Sequence, residues 1–357
     1  MRVGILTSGG DCQGLNGAMY GLVKALNFNC KEKLEIYGIL EGYTGLINGN
    51  YKKMKSEEFE GILNMGGSIL GNSRQPFKRI NDADENGVTK LQSMIKNYKN
   101  MDLDCLVVLG GNGSHKTANL LSEQGLNVVT LPKTIDNDIN GTEMTFGFQS
   151  AIDIATRTLE ELHTTAKSHK RIIIDEIMGN KAGFLTLYSG IAGEADIILI
   201  PEIPYSIDKI VDFINKKLDE GRRHIIIAAA EGIISKDESK LTKKELKQKR
   251  AAENYTSAAV YLEKKLSEKI NREIRAVVPG HIQRGGSPCA YDKVLTSRLG
   301  AKGAELILNK EYGRMVAVVN NEISSVPLSV AVEKPKRVNP NDEIVKQMRM
   351  MGICLGD

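Results

Sequence analysis

Residues 3–27 read VGILTSGGDCQGLNGAMYGLVKALN. Val3–Thr7 is a short apolar run of strand length. Ser8-Gly9-Gly10-Asp11 interrupts it. From Asn16 to Asn27 the apolar residues Ala18, Met19, Leu22, Val23 and Leu26 recur at helical spacing, which places them on one face. Strand, glycine turn and helix form the first half of a βαβ unit. The alternation continues along the chain. Apolar, β-branched runs bounded by Gly, Pro or Asn lie at 34–40, 105–109, 127–131, 171–174, 196–200, 224–230, 274–278 and 315–320. Such runs read as strands buried on both faces. Helix-period segments lie between them at 153–163, 206–220 and 255–273. The expected class is therefore α/β with largely parallel sheets flanked by helices.

Composition limits the possible functions. The 357 residues suggest about two domains. With 41% hydrophobic and 26% charged residues, the chain can bury enough surface to fold. A net charge of +4 is too small to argue for a nucleic-acid partner. No apolar run approaches the ~18 residues of a membrane span, so no membrane association is expected. The N-terminal MRVGILTSGG reaches Gly-Gly too early for a signal peptide. Cys12, Cys30, Cys105, Cys289 and Cys354 are odd in number and scattered, with no CxxC pair. That pattern suits a reducing, cytoplasmic setting better than a disulfide framework or a zinc site. Lys236–Arg250 holds seven Lys/Arg and three acids without an interleaved aromatic residue, and reads as a solvated helix or loop insertion.

Glycine, 35 residues in all, is the compositional outlier. Ser8-Gly9-Gly10-Asp11 and Gly110-Gly111-Asn112-Gly113-Ser114 each follow a strand and open a helix. Glycine lets backbone approach a phosphate, and a helix N-terminus turns N–H groups toward it. Either loop alone could be a tight turn; two at strand ends favour phosphate binding. Neither is a Walker A loop or a G-x-G-x-x-G fingerprint. Lys133-Thr134-Ile135-Asp136-Asn137-Asp138 places two carboxylates two residues apart, as a base and an electrostatic partner or simply as an Asp/Asn turn. In Gly280–Pro288 an imidazole and a guanidinium, His281 and Arg284, could hold a phosphoryl group; a structural histidine is the alternative.

Taken together these segments resemble the 6-phosphofructokinase family. The matching pieces are SGGDCQGLN (8–16), EGYTG (41–45), GGSILGNSR (66–74), GGNGS (110–114), KTIDND (133–138), Met178-Gly179 and GHIQRGGSP (280–288), in the family's order over most of the chain. The resemblance implies transfer of a phosphoryl group from ATP to the 1-hydroxyl of fructose 6-phosphate, with Mg²⁺. Asp136 would be the base, with Asp138 and Thr134 orienting the acceptor or the metal shell and Lys133 beside them. Gly10, Arg74, Gly111, Asn112, Gly113 and Ser114 would cradle the donor phosphates. Met178, Gly179 and Glu231 would line the sugar, and His281 and Arg284 would hold its 6-phosphate. Arg171 and Arg275 would reach in from a neighbouring subunit of a homo-oligomer, a tetramer in many relatives. The resemblance also implies a donor domain of residues 1–148 plus 283–334 and a sugar-phosphate domain of 149–282 plus 335–357.

The chain departs from the family pattern in places. Asn112 stands where a carboxylate that helps hold Mg²⁺ is common, which makes it a doubtful metal residue. Asn180 replaces a usual arginine and Thr117 a usual glycine, while Gln13 for proline is harmless. Lys133 occurs in pyrophosphate-using members and in some ATP-using ones. Gly113 favours ATP, because an Asp there would occupy the α-phosphate space. The alternatives to an ATP-dependent enzyme are a pyrophosphate-dependent one and a weakly active or regulatory paralogue. Arg222 and Arg223 match part of a family effector site, but Tyr20 and His163 replace two of its arginines, so altered nucleotide control is expected.

Overall fold

A computed structural model describes all 357 residues. In chain order its elements are β1 (Arg2–Thr7), α1 (Leu15–Asn29), β2 (Glu35–Ile39), α2 (Tyr43–Asn48), β3 (Tyr51–Met54), α3 (Lys90–Asn100), β4 (Cys105–Gly110), α4 (Asn112–Glu123), β5 (Val128–Pro132) and α5 (Phe148–His169). There follow β6 (Ile172–Ile177), α6 (Phe184–Ala192), β7 (Ile197–Leu199), α7 (Ile207–Asp219), β8 (Ile225–Ala230), α8 (Lys243–Ala252), α9 (Ala258–Ser267) and β9 (Ile274–Val277). The last are α10 (Ala290–Leu308), β10 (Arg314–Val319), β11 (Glu322–Pro327), α11 (Leu328–Ala331) and α12 (Glu343–Met350). The chain divides into two units, Met1–Ser150 with Arg284–Lys336, and Ala151–Gln283 with Arg337–Asp357.

The first unit is built on a seven-stranded sheet in the order β11-β10-β5-β4-β1-β2-β3. Its five inner strands are parallel, and β3 and β11 close the borders antiparallel. Leu6, Ile39, Leu106, Val108 and Val128 from the sheet pack with Met94 and Leu121 from helices. α1 and α10 cross in close contact. A Cβ on Gly21 would run into the Ser297 backbone, and one on Gly300 into Ala18 O. From β1 the chain moves outward to β2, then crosses back to β4 on the other side of β1. The sheet order therefore reverses at β1 and β4, where open α/β sheets bind ligands beyond the strand ends. Both glycine loops lie there.

The second unit has a four-stranded parallel sheet, β7-β8-β6-β9. Ile172, Ile174, Ile197, Leu199, Ile225 and Ile227 pack against Ile210 and Ile214 of α7 and Leu262 and Leu266 of α9. Here the order reverses at β6, so the loops after β6, β8 and β9 leave from neighbouring strand ends.

All nine expected strands form, within a few residues of their expected bounds. Burial on both faces fails for β9, a sheet border whose Arg275 is exposed. β3 (YKKM) and β11 (EISSVP) escape a search for apolar runs because border strands need little apolar surface. The helix expected at 255–273 shortens to α9. Ser257 caps it by accepting from Val260 N–H (3.2 Å), and Asn254 just before has φ +51°. α5 is longer than the expected 153–163. The charged stretch at 236–250 passes through a 3₁₀ turn at Glu238–Lys240 and enters α8 at Lys243, a helix that buries no side chain. It is not wholly solvated, however: Glu238 is 2% exposed and pairs with Arg250 at 2.9 Å.

Candidate active site

In the first unit, Ser8 N–H donates to Leu109 O (2.9 Å), tying the first glycine loop to β4. Gly9, at φ +88°, donates its N–H to Ser73 O (2.9 Å). A Cβ on Gly10 would lie 3.2 Å from Arg284 Nη1 and 3.4 Å from Arg74 Nη2, so two guanidiniums face this backbone. Lys133 Nζ donates to Gly10 O (2.5 Å), and Arg284 Nη1 to Asp11 O (3.0 Å). Three cations around one loop make a receptor for a polyanion. Burial pushes the Lys133 pKa down, and Arg284 adds to that shift. Gln13 donates to Gly285 O (2.8 Å).

The second loop enters α4 with Gly111 at its N-cap and no side-chain cap; Ser114 N–H turns back to Gly111 O (2.9 Å), which leaves the first-turn N–H groups of Asn112 and Gly113 available to an anion. A Cβ on Gly110 would run into the Ser114 side chain, whereas one on Gly113 would meet nothing within 4 Å. Thr117 is buried and donates to Gly113 O (3.4 Å). His115, fully buried beneath the loop, is held neutral: burial, and secondarily Lys133, pushes its pKa down to about 3.

Lys133 N–H donates to Gly110 O (3.0 Å), so the acidic turn starts from the end of β4. Thr134 Oγ1 accepts from Asp136 N–H (3.1 Å). Asn137 takes φ +49°, and its Oδ1 accepts from Thr145 N–H (2.9 Å). The Thr145 hydroxyl donates to Thr134 O (2.7 Å). These bonds fix the turn and give its two carboxylates unequal surroundings. Asp136 is half-buried, and Asp138 is 9% exposed. Burial pushes the Asp138 pKa up to about 7, and the Asp136 charge adds to the rise; Lys336 and Lys133 oppose it.

In the second unit, Gln283 accepts from Met178 N–H (3.0 Å) and donates to Glu176 O (3.1 Å), fastening the loop after β6. Glu231 Oε1, beyond β8, accepts from Gly179 N–H (3.2 Å) and Asn180 N–H (2.7 Å). Gly179 has φ +140° and Asn180 φ +53°, a left-handed geometry that asparagine tolerates well. His281 is exposed in the 3₁₀ turn after β9. Arg171 and Arg275 sit at the other end of the sheet, both bonded to Glu273 at 2.6 Å. β6, which separates Arg171 from Met178, spans about 20 Å at roughly 3.3 Å per residue. Within this unit the fold therefore gathers Met178, Gly179 and Glu231 at one end, and does not bring Arg171 or Arg275 to them.

Glu273 and Lys336 carry no motif signal, because each is recognised only through partners distant in sequence. Gln283 lies inside GHIQRGGSP, and only its contacts reveal that it fastens Met178.

Two glycine loops at a sheet reversal, ringed by cations beside paired carboxylates, define a phosphoryl-transfer type of site. A model of the phosphofructokinase family matches residues 2–307. The chain belongs to that family. It is 46% identical to the protein named ATP-dependent 6-phosphofructokinase of Spirochaeta thermophila, over 99% of this chain and 97% of that one. It is 43% identical to the one named ATP-dependent 6-phosphofructokinase 3 of Bacteroides thetaiotaomicron, over the full length of both. Among solved structures, phosphofructokinase of Saccharomyces cerevisiae superposes with a TM-score of 0.77 at 28% identity. That match covers 93% of this chain, which spans 45% of the yeast chain.

Proposed function

We infer that this chain is an ATP-dependent 6-phosphofructokinase. It transfers the terminal phosphoryl group of ATP to the 1-hydroxyl of fructose 6-phosphate, giving fructose 1,6-bisphosphate and ADP in glycolysis. The observation that carries this reading is the 46% identity to a relative of that name across nearly all of both chains. Open space beside Gly113 supports the nucleotide over pyrophosphate, because nothing there obstructs an α-phosphate.

In the proposed mechanism Asp136 accepts the hydroxyl proton as the oxygen attacks the terminal phosphorus and the bond to the bridging oxygen breaks. Gly10, Arg74, Gly111, Asn112, Gly113 and Ser114 hold the donor phosphates through N–H groups and charge. Met178, Gly179 and Glu231 position the sugar, and His281, Arg284, Arg171 and Arg275 hold its 6-phosphate. The unit Met1–Ser150 with Arg284–Lys336, within two residues of the expected 1–148 plus 283–334, serves the donor, and Ala151–Gln283 with Arg337–Asp357 serves the sugar. No group of three or more His, Cys, Asp or Glu gathers to cage a metal. Asn112 would offer a carbonyl oxygen to Mg²⁺ arriving with the donor phosphates. When bound, the ion neutralises phosphate charge.

The placement of Arg171 and Arg275 away from Met178 supports sites shared between subunits of a homo-oligomer, for which we propose a tetramer. Arg275→Ala should raise the KM for fructose 6-phosphate at least about tenfold, through loss of a charge-assisted bond. Mixing that variant with Asp136→Asn should restore activity in hybrid oligomers, because one site then has both residues intact. No recovery, with subunit exchange verified by mass spectrometry, would show self-contained sites.

The glycolytic role supports a cytoplasmic setting. Altered nucleotide control is proposed from Tyr20, whose hydroxyl accepts from Lys24 (2.8 Å), and from Arg222, which pairs with Asp196 (2.9 Å). A coupled assay with fructose 6-phosphate and Mg²⁺ tests the function: turnover is expected with ATP and not with pyrophosphate. Turnover with pyrophosphate alone overturns the donor, and none with either overturns the enzyme reading.

A further inference from the structure

Lys336 is the last residue of the first unit, a few residues beyond α11, and it closes the turn that follows the paired aspartates. Its backbone N–H donates to Asp138 O (2.8 Å). Its ammonium donates to Thr142 O (2.7 Å) and Glu143 O (3.2 Å). One residue thus fastens both ends of the 138–143 turn. The far end is also anchored on β10, where the Thr142 hydroxyl oxygen accepts from Val318 N–H and Glu143 N–H donates to Val318 O, both at 2.9 Å. The ammonium is therefore held in a fixed place. Asp136, Lys133 and Lys336 are the charged groups facing Asp138; Asp138 and Glu143 are those facing Lys336. Lys133 is engaged with the first glycine loop through Gly10 O. Lys336 is then the cation committed to the acidic turn itself.

We propose that Lys336 is a positioning residue for phosphoryl transfer, which locks the 138–143 turn and sets an ammonium against Asp138, the neighbour of the Asp136 base. The proposal rests on Asp136 being the base. Two carboxylates so close in sequence repel; burial already raises the Asp138 pKa to about 7, and loss of the opposing Lys336 charge would make the pair hold a proton more tightly. A protonated pair accepts a hydroxyl proton poorly. The cation therefore acts on the base through its neighbour, without touching substrate.

The test uses the full-length enzyme with Lys336→Met, Lys336→Gln and Lys336→Arg. Turnover, both KM values, the pH profile of kcat and the melting temperature are measured for each. Met and Gln should lower kcat at least about tenfold, with both KM values within roughly threefold of wild type. The acidic limb of kcat should move to higher pH, because an anion pair has lost its cation. Arg should recover most of the activity and the original limb. Gln keeps hydrogen-bonding capacity without charge, so it serves if Met fails to fold. Wild-type kcat in Gln overturns the proposal, and so does a loss that follows melting temperature or KM with an unmoved acidic limb. Asp136→Asn is run alongside. If that variant is inactive and the Lys336 variants are normal, only this inference falls; if Asp136→Asn is itself active, the assignment of the base falls.

Discussion

Asp136→Asn should lower kcat by at least ~10², with the KM for fructose 6-phosphate within about threefold, the range for losing a positioned general base. Asparagine preserves the size of the side chain and removes the proton acceptor. The turn should keep its shape, because hydrogen bonds of Thr134, Asn137 and Thr145 hold it. Asp138 is a poor substitute. It is 9% exposed, and burial raises its pKa to about 7, so much of it carries a proton at neutral pH. A loss of ~10² corresponds to about 2.7 kcal/mol of transition-state stabilisation. Steady-state kinetics at saturating ATP would measure it, and near-normal turnover would place the base elsewhere.

The second large effect concerns stability. Asp175 lies in the middle of β6, fully buried, between Ala228 of β8 and Val277 of β9. Neither carboxyl oxygen has a hydrogen-bond partner. Burial pushes its pKa up to about 8, and Glu176 adds to the rise. The folded protein therefore keeps a proton that the unfolded chain releases near pH 4. The contribution of Asp175 to stability is fullest below about pH 4, falls as pH rises toward 8, and levels off above it. A displacement of that size is worth up to about 5 kcal/mol. Asp175→Asn cannot ionise and should escape the loss. Its melting temperature relative to wild type should climb between pH 5 and pH 8.5. Parallel curves over that range would show that Asp175 ionises without penalty.

Asp175 also marks a limit of sequence reading. In IIIDEI an acid interrupts an apolar run, and nothing local says whether it faces water or lies buried. The inner strands were legible because burial on both faces leaves a continuous apolar signature, as in Ile225–Ala230. The glycine loops were legible because their geometry demands glycine, as the Ser114 side chain does of Gly110. Partnerships across long stretches of chain were not. Arg171 and Glu273 meet over 102 residues, and Lys336 reaches Thr142 over 194. Such pairs depend on the order in which strands assemble, which no local period encodes. Family resemblance named Arg171 and Arg275, but it did not reveal that one carboxylate holds both.

The border strand β3 has a consequence for self-association. A sheet with an open border invites another chain to add a strand and so begin a fibril. Here the outermost strand is four residues long and presents Lys52 on one face of the sheet and Lys53 on the other, both exposed. Lys52 is paired with Glu58 at 3.1 Å and Lys53 with Glu35 at 2.6 Å. An incoming strand would have to strip water from two ammonium groups and disrupt both pairs. Polymerisation through this border is thereby opposed by charge, and the parallel core behind it is shielded from templating its own aggregation.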